Sequence, residues 1–253
     1  MNYTTYRSMD ESKMKIKYSR GFNKPPLNKD KPNTVILLMG ATCAGKTTVA
    51  RELHKRLNNG NTTNELVRYR YHDFIEAHPE VNNEFMPTNS EVAFTLFDNT
   101  AHVGKLSYQG ACSGTDLLFD VAEVKGTYLL AKQYRKFIIF DGMLTTVKWL
   151  DFIDDGNTKI LPVLLDTGNL EINHYRLVER RNVRKSLPTD DTTLRTAAAS
   201  LTPATKYNIY KKRNAFINCM KSMHSRVGST IKVSTNTDIS TTVGVILEAL
   251  SDL

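Results

Sequence analysis

Cysteine is scarce in this chain of 253 residues: three, at positions 43, 112 and 219, an odd number with no C-x-x-C spacing among them. A disulfide framework is thereby excluded, and reduced thiols are the simplest reading. Long apolar runs are missing too. No stretch approaches the roughly 18 residues that a membrane-crossing helix needs, and the segment Met1–Tyr6 has none of the apolar character of a secretory signal. A cytoplasmic protein with no membrane partner is expected. No internal repeat is found. Acidic residues are in deficit, 26 against 34 Lys and Arg, and the resulting net charge of +8 points to an anionic partner.

What is present is an ordinary globular composition, 40% hydrophobic and 24% charged, in a length normal for one α/β domain with insertions. The first 32 residues stand apart. Arg7, Lys13, Lys15, Lys17, Arg20, Lys24, Lys29 and Lys31 oppose Asp10, Glu11 and Asp30, while Pro25, Pro26 and Pro32 interrupt a stretch without apolar periodicity. A flexible basic arm over 1–32 is expected, serving either as a solubilising tail or as a nucleic-acid contact. From 33 to 253, strand and helix patterns alternate. Val35–Met39, Leu66–His72, Phe137–Phe140, Ile160–Leu165 and Thr230–Ser234 read as five strands. Helices are expected directly after the first strand and over 116–134, 170–185, 206–226 and 239–250, with a short one over 90–100. Such alternation implies an α/β fold, a parallel five-stranded sheet with helices on both faces.

Chemistry enters at Gly40, Ala41, Thr42, Cys43, Ala44, Gly45, Lys46 and Thr47, which fit the pattern G-x-x-x-x-G-K-[ST] without a mismatch. An apolar strand precedes the loop, and Thr48–Leu57 follows it with Val49, Leu53 and Leu57 at helical spacing. Backbone N–H groups of such a loop, with the positive end of the helix dipole, hold phosphate oxygens. Lys46 supplies a point charge at the β- and γ-phosphates, and the Thr47 hydroxyl can ligate Mg²⁺. A nucleoside triphosphate site is expected, in which oxidation of Cys43 would block the substrate.

Three further features bear on what is done with the triphosphate. Asp141 closes the apolar strand 137–140, where a carboxylate can hold Mg²⁺ beside Thr47; an ordinary strand-end Asp is the alternative. Arg176, Arg180 and Arg184 recur every four residues with Arg181 and Lys185 beside them, so the segment 170–191 reads as a basic helical lid over the transferring phosphoryl group, or as a solvated face paired to Glu171 and Glu179. Asp73 follows the second strand. If that strand neighbours the first, Asp73 lies in the crevice at the carboxyl ends of the strands and can take a proton from an attacking hydroxyl. His72 beside it reads as structural, and Arg68, Tyr69, Arg70 and Tyr71 suit phosphate contact and base stacking or, for the tyrosines, core packing. Residues 74–115 read as a substrate-side insertion.

The loop at 40–47, the strand Phe137–Phe140 ending in Asp141 and Gly142, the arginine-rich segment after Leu164, Leu165 and Asp166, and the turn Val233–Asp238 together resemble P-loop kinases of the polynucleotide kinase and zeta-toxin group, over about 34–251. That resemblance implies ATP and Mg²⁺ held by Lys46, Thr47 and Thr48, a lid containing Arg176 and Arg180, a base at Asp73, and Asn236 near adenine. Phage kinases that phosphorylate 5-hydroxymethyluracil within DNA are similar in having a compact kinase core with basic extensions. DNA is the acceptor this implies. A polynucleotide 5′-hydroxyl kinase, a nucleoside or deoxynucleoside monophosphate kinase and a nucleotide-dependent switch or nucleic-acid binder are the competing readings.

Overall fold

The structure, a computed structural model, describes residues 33–70, 91–106, 114–115, 118, 121–142 and 145–253. The expected basic arm over 1–32, Tyr71, His72, Asp73 and most of the expected insertion lie outside the described residues. Strand β1 is Thr34–Met39, followed by helix α1, Lys46–Leu57. Then come β2 (Glu65–Arg70), β3 (Glu91–Leu96), β4 (Thr100–Val103), α2 (Val121–Tyr134) and β5 (Phe137–Asp141). After a 3₁₀ turn at Val147–Trp149 follow α3 (Leu150–Ile153), β6 (Lys159–Asp166), α4 (Leu170–Arg184), α5 (Asp191–Ala199), α6 (Pro203–Val227), β7 (Ile231–Ser234) and α7 (Ile239–Ser251). Among the described residues no helix is long and apolar enough to cross a membrane.

Among the described residues the sheet has seven strands, in the order β2-β3-β4-β5-β1-β6-β7, rather than the five expected. Only β3 runs against the others, pairing antiparallel with both β2 and β4. The two extra strands fall where a short helix over 90–100 is predicted. Val92, Ala93, Phe94, Thr95 and Leu96 are all buried, and a short apolar run of this kind carries no period by which to tell helix from strand. Side chains hold the hairpin's turn: the Asn99 backbone N–H donates to Asn58 Oδ1 at 2.6 Å, and Asn61 Nδ2 donates to Asp98 at 2.6 Å. A second correction concerns order. Strand β2 lies four places from β1, whose neighbours are β5 and β6. The crevice argument for Asp73, which takes its strand to neighbour β1, therefore loses that premise.

Period-two alternation along β1 sorts the core. Val35, Leu37 and Met39 face one layer, with α2, α3 and the middle of α6, while Ile36 and Leu38 face the other, with α1 and α7. Helices thus cover both faces, as parallel strands buried on both sides require. The missed helix α5 is capped by Asp190, whose side chain accepts from the Thr193 backbone N–H at 2.9 Å. Asn169, Thr202 and Asp238 cap α4, α6 and α7 in the same way.

Helix α6 is tied to the carboxyl end of β6 by a two-pronged ion pair: Arg213 Nε and Nη2 donate to the two oxygens of buried Asp166 at 2.8 and 2.7 Å, and Lys232 adds a third contact at 2.9 Å. These donors, Arg213 foremost, hold the Asp166 carboxyl far below the usual carboxylate range. A carboxyl depressed in the folded state stabilises fully above its unfolded pKa and loses that contribution as the pH falls through the folded value. Replacing Arg213 by Met is expected to lower the urea unfolding free energy by about 2 kcal/mol at neutral pH, because a buried charge loses its best partner while Lys232 remains. The gap should narrow as acid protonates Asp166, first in the variant and then in the parent protein.

Candidate active site

The loop 40–45 leaves the buried end of β1 and turns into α1. A side chain at position 40 would put Cβ at 2.5 Å from the Leu165 backbone oxygen on β6, so only glycine lets the two strand ends close together here. Cys43 adopts φ +63°, a left-handed conformation that costs a non-glycine residue about 1–2 kcal/mol. Unlike α4–α7, α1 has no side-chain cap; its N-cap residue is Gly45. The first-turn N–H groups of α1 are thus left for an anion to meet.

Lys46 is buried, and its Nζ donates to the Gly40 and Ala41 backbone oxygens at 2.8 and 3.2 Å. Thr47 donates its hydroxyl proton to Asp141 Oδ2 at 2.7 Å. The hydroxyl at the start of α1 and the carboxylate at the end of the adjacent β5 therefore meet, as the sequence predicts. Burial alone would raise the Asp141 carboxyl, but His102, Thr47 and Lys46 outweigh it and hold it below its ordinary range. Two hard oxygen donors beside a lysine suit Mg²⁺, which is usually bound through one or two carboxylates plus the phosphates of its substrate. Among the described residues no group of three or more His, Cys, Asp or Glu offers an all-protein metal cage.

Two other elements close on this loop. Helix α4 is pinned to it by buried Asn173, which donates to the Thr42 oxygen at 2.9 Å and accepts from Thr167 at 2.5 Å. Arg176 reaches from α4 to the turn after β7, donating to the Thr235 backbone oxygen at 2.7 Å. Burial pushes the Cys43 thiol up, and the opposing fields come from Arg180, Lys46, Arg176 and Arg181. The cations of α4 are thus close enough to the loop to act on it electrostatically. No ion pair joins Glu171 or Glu179 to the arginine stripe among the described residues, although Arg176 acts on Glu179 electrostatically. Arg180, Arg181, Arg184 and Lys185 are exposed.

Thr235 approaches Gly45, whose added Cβ would lie 3.9 Å away. The neighbouring Asn236, expected near adenine, is exposed and donates its backbone N–H to Ser234 Oγ at 3.2 Å. The base expected at Asp73 lies outside the described residues. Sequence reasoning missed Asn173, Thr235, Arg213, His54, His102 and Gly114, all polar or glycine positions whose partners are remote in sequence. Gly114 and Thr115 press onto the end of β5, Thr115 donating to the Asp141 backbone oxygen at 3.1 Å. This end of the expected insertion does reach the candidate site. No family model matches the chain, and no curated protein matches it.

Proposed function

We propose that the protein is an ATP-dependent kinase that transfers the γ-phosphoryl group to a hydroxyl on DNA, the hydroxymethyl of a modified pyrimidine being the most specific acceptor. The observation that carries this reading is the hydrogen bond from Thr47, at the end of a complete G-x-x-x-x-G-K-T loop, to Asp141 on the strand beside it. A carboxylate set against the loop's hydroxyl is what Mg²⁺–triphosphate chemistry requires. Thr47 and Asp141 would hold the cation, which when bound neutralises charge on the phosphate oxygens.

Lys46 would supply charge to a triphosphate tail, which the loop N–H groups would orient. Arg176 and Arg180 add guanidinium charge where negative charge spreads during transfer. With β2 away from β1, only the resemblance to polynucleotide kinases gives Asp73 the role of deprotonating the attacking hydroxyl. A base extruded from the duplex would bring its hydroxymethyl within reach. Charge favours a polyanionic acceptor: residues 170–227 hold twelve Lys and Arg against four Asp and Glu, a surface suited to salt-sensitive backbone contact.

Incubation with γ-labelled ATP and, separately, duplex DNA containing 5-hydroxymethyluracil, 5′-hydroxyl oligonucleotides or free mononucleotides tests this directly. Label is expected in the modified duplex, with yield falling steeply as salt rises. Label confined to oligonucleotide ends would move the acceptor to the 5′ hydroxyl, and label confined to mononucleotides would sink the DNA reading.

A further inference from the structure

Behind Asp141 runs a line of buried polar groups that phosphate binding alone does not use. His102, on β4, has no exposed surface, and its Nε2 is 3.0 Å from Asp141 Oδ1. Its Nδ1 is 3.1 Å from Nε2 of His54, on α1, which is also buried. His54 Nδ1 is 2.6 Å from Thr100 Oγ1, and its ring stacks on Phe97 with centroids 4.2 Å apart. Asn58 closes the line: its Oδ1 accepts from the Asn99 backbone N–H, so its amide nitrogen must face the other way, donating to Thr100 Oγ1 at 2.9 Å and the His54 oxygen at 2.6 Å.

The protons follow from this wiring. Asp141 is a carboxylate and only accepts, so His102 Nε2 carries a hydrogen whether the ring holds one proton or two. With a single proton on His102, its bare Nδ1 accepts from His54 Nε2–H, and His54 Nδ1 accepts from the Thr100 hydroxyl. Burial keeps His54 well below the ordinary imidazole range and so uncharged. Every link then has one donor and one acceptor.

We infer that His102 is a positioning residue for Asp141, with His54 locking His102 in turn, so that Oδ1 is held by the imidazole while Oδ2 is presented to Thr47 and the cation. The inference rests on the kinase reading above only in taking Asp141 as a Mg²⁺ ligand. Packing alone would be served by apolar side chains on these two positions, since both lie in the interior between β4, α1 and the hairpin. A fixed donor behind a ligating carboxylate sets its orientation and its affinity for the metal. The line also couples α1, which begins with Lys46 and Thr47, to β4, which stands beside the strand carrying Asp141.

Binding of fluorescent methylanthraniloyl-ATP, titrated with Mg²⁺ and read beside the melting temperature, tests the inference in the full-length protein. His102→Leu leaves Oδ1 without its donor, and the Mg²⁺ midpoint should rise by about tenfold or more. His102→Gln can place an amide N–H near the lost Nε2–H, so its midpoint should return toward that of the parent protein even where its melting temperature falls as far as that of the leucine variant. His54→Phe keeps the stacking on Phe97 but removes the donor to His102; a smaller rise is expected, and this variant serves if His102→Leu fails to fold. Mg²⁺-free binding should be unchanged throughout. If leucine and glutamine variants both keep the parental midpoint, or if the midpoints follow melting temperature alone, positioning is overturned while the ATP reading stands. If the parent protein shows no Mg²⁺-dependent binding, the kinase reading fails and the inference with it.

Discussion

Alanine at Gly114 is expected to cut phosphoryl transfer by about a hundredfold or more, the scale reached when a reacting constellation is displaced by about an ångström. A methyl group there would sit 1.7 Å from Asp141 Oδ1 and 2.2 Å from the Asp141 backbone oxygen. Neither can yield cheaply. Oδ1 is held by His102, and the backbone belongs to β5 in the middle of the sheet. Gly114 also has φ +60° and faces Gly104 so closely that a Cβ on Gly104 would meet the Gly114 oxygen at 2.1 Å. Overpacking and left-handed strain together are expected to lower stability by about 3 kcal/mol. Gly60, with φ +86° and nothing within 4 Å of an added Cβ, is the matched control. Gly60→Ala should cost about 1 kcal/mol through strain alone and leave transfer intact. Urea midpoints and initial rates for the two variants measure both effects. Parental activity in a folded Gly114→Ala protein would show that the approach of 114 to Asp141 does not matter for function.

Some of this site was legible before the fold was known, and the boundary has physical causes. The strands β1, β5 and β6 announce themselves because parallel strands buried on both faces are continuously apolar, and Asp141 stands out as the first charge after such a run. Thr47 and Asp141 could be paired because the loop leaves the end of one parallel strand and the acid closes another, so both stand at the carboxyl edge of the sheet. Strand order could not be read in the same way. Sequence places β2 next after β1, and only the antiparallel pair β3 and β4, hidden in a stretch of weak periodicity, explains why β2 ends up at the sheet edge. The Asp190 cap of α5 is a readable signal, an N-cap residue type ahead of Leu194 and Ala198 at helical spacing. His54 and His102 were unreadable, since a buried histidine looks like any other until its partner, here 48 residues away, is brought beside it.

Replacing Lys46 by Met should lower phosphoryl transfer by about 10²–10³-fold, the usual consequence of removing one donor aimed at developing charge. Methionine keeps the unbranched stem that enters the loop and removes only the ammonium. The folded protein loses two hydrogen bonds to loop carbonyls and a cation 6.0 Å over the Phe216 ring. A modest fall in melting temperature is therefore expected, smaller than that of Gly114→Ala. Arginine at the same position should not rescue transfer, because a planar guanidinium cannot follow the compact path that brings Nζ to both Gly40 and Ala41. Nucleotide affinity should fall less than rate, since the backbone N–H groups of the loop and the Thr47 hydroxyl remain. Retention of transfer within about tenfold of the parent would contradict the assigned role, given the expected scale. Paired with Asp73→Asn, the same variant also separates a kinase from a nucleotide-dependent switch. Both changes silence a kinase, one by removing charge at the phosphates and the other by removing the base, whereas a switch needs the lysine to hold nucleotide and has no hydroxyl to deprotonate.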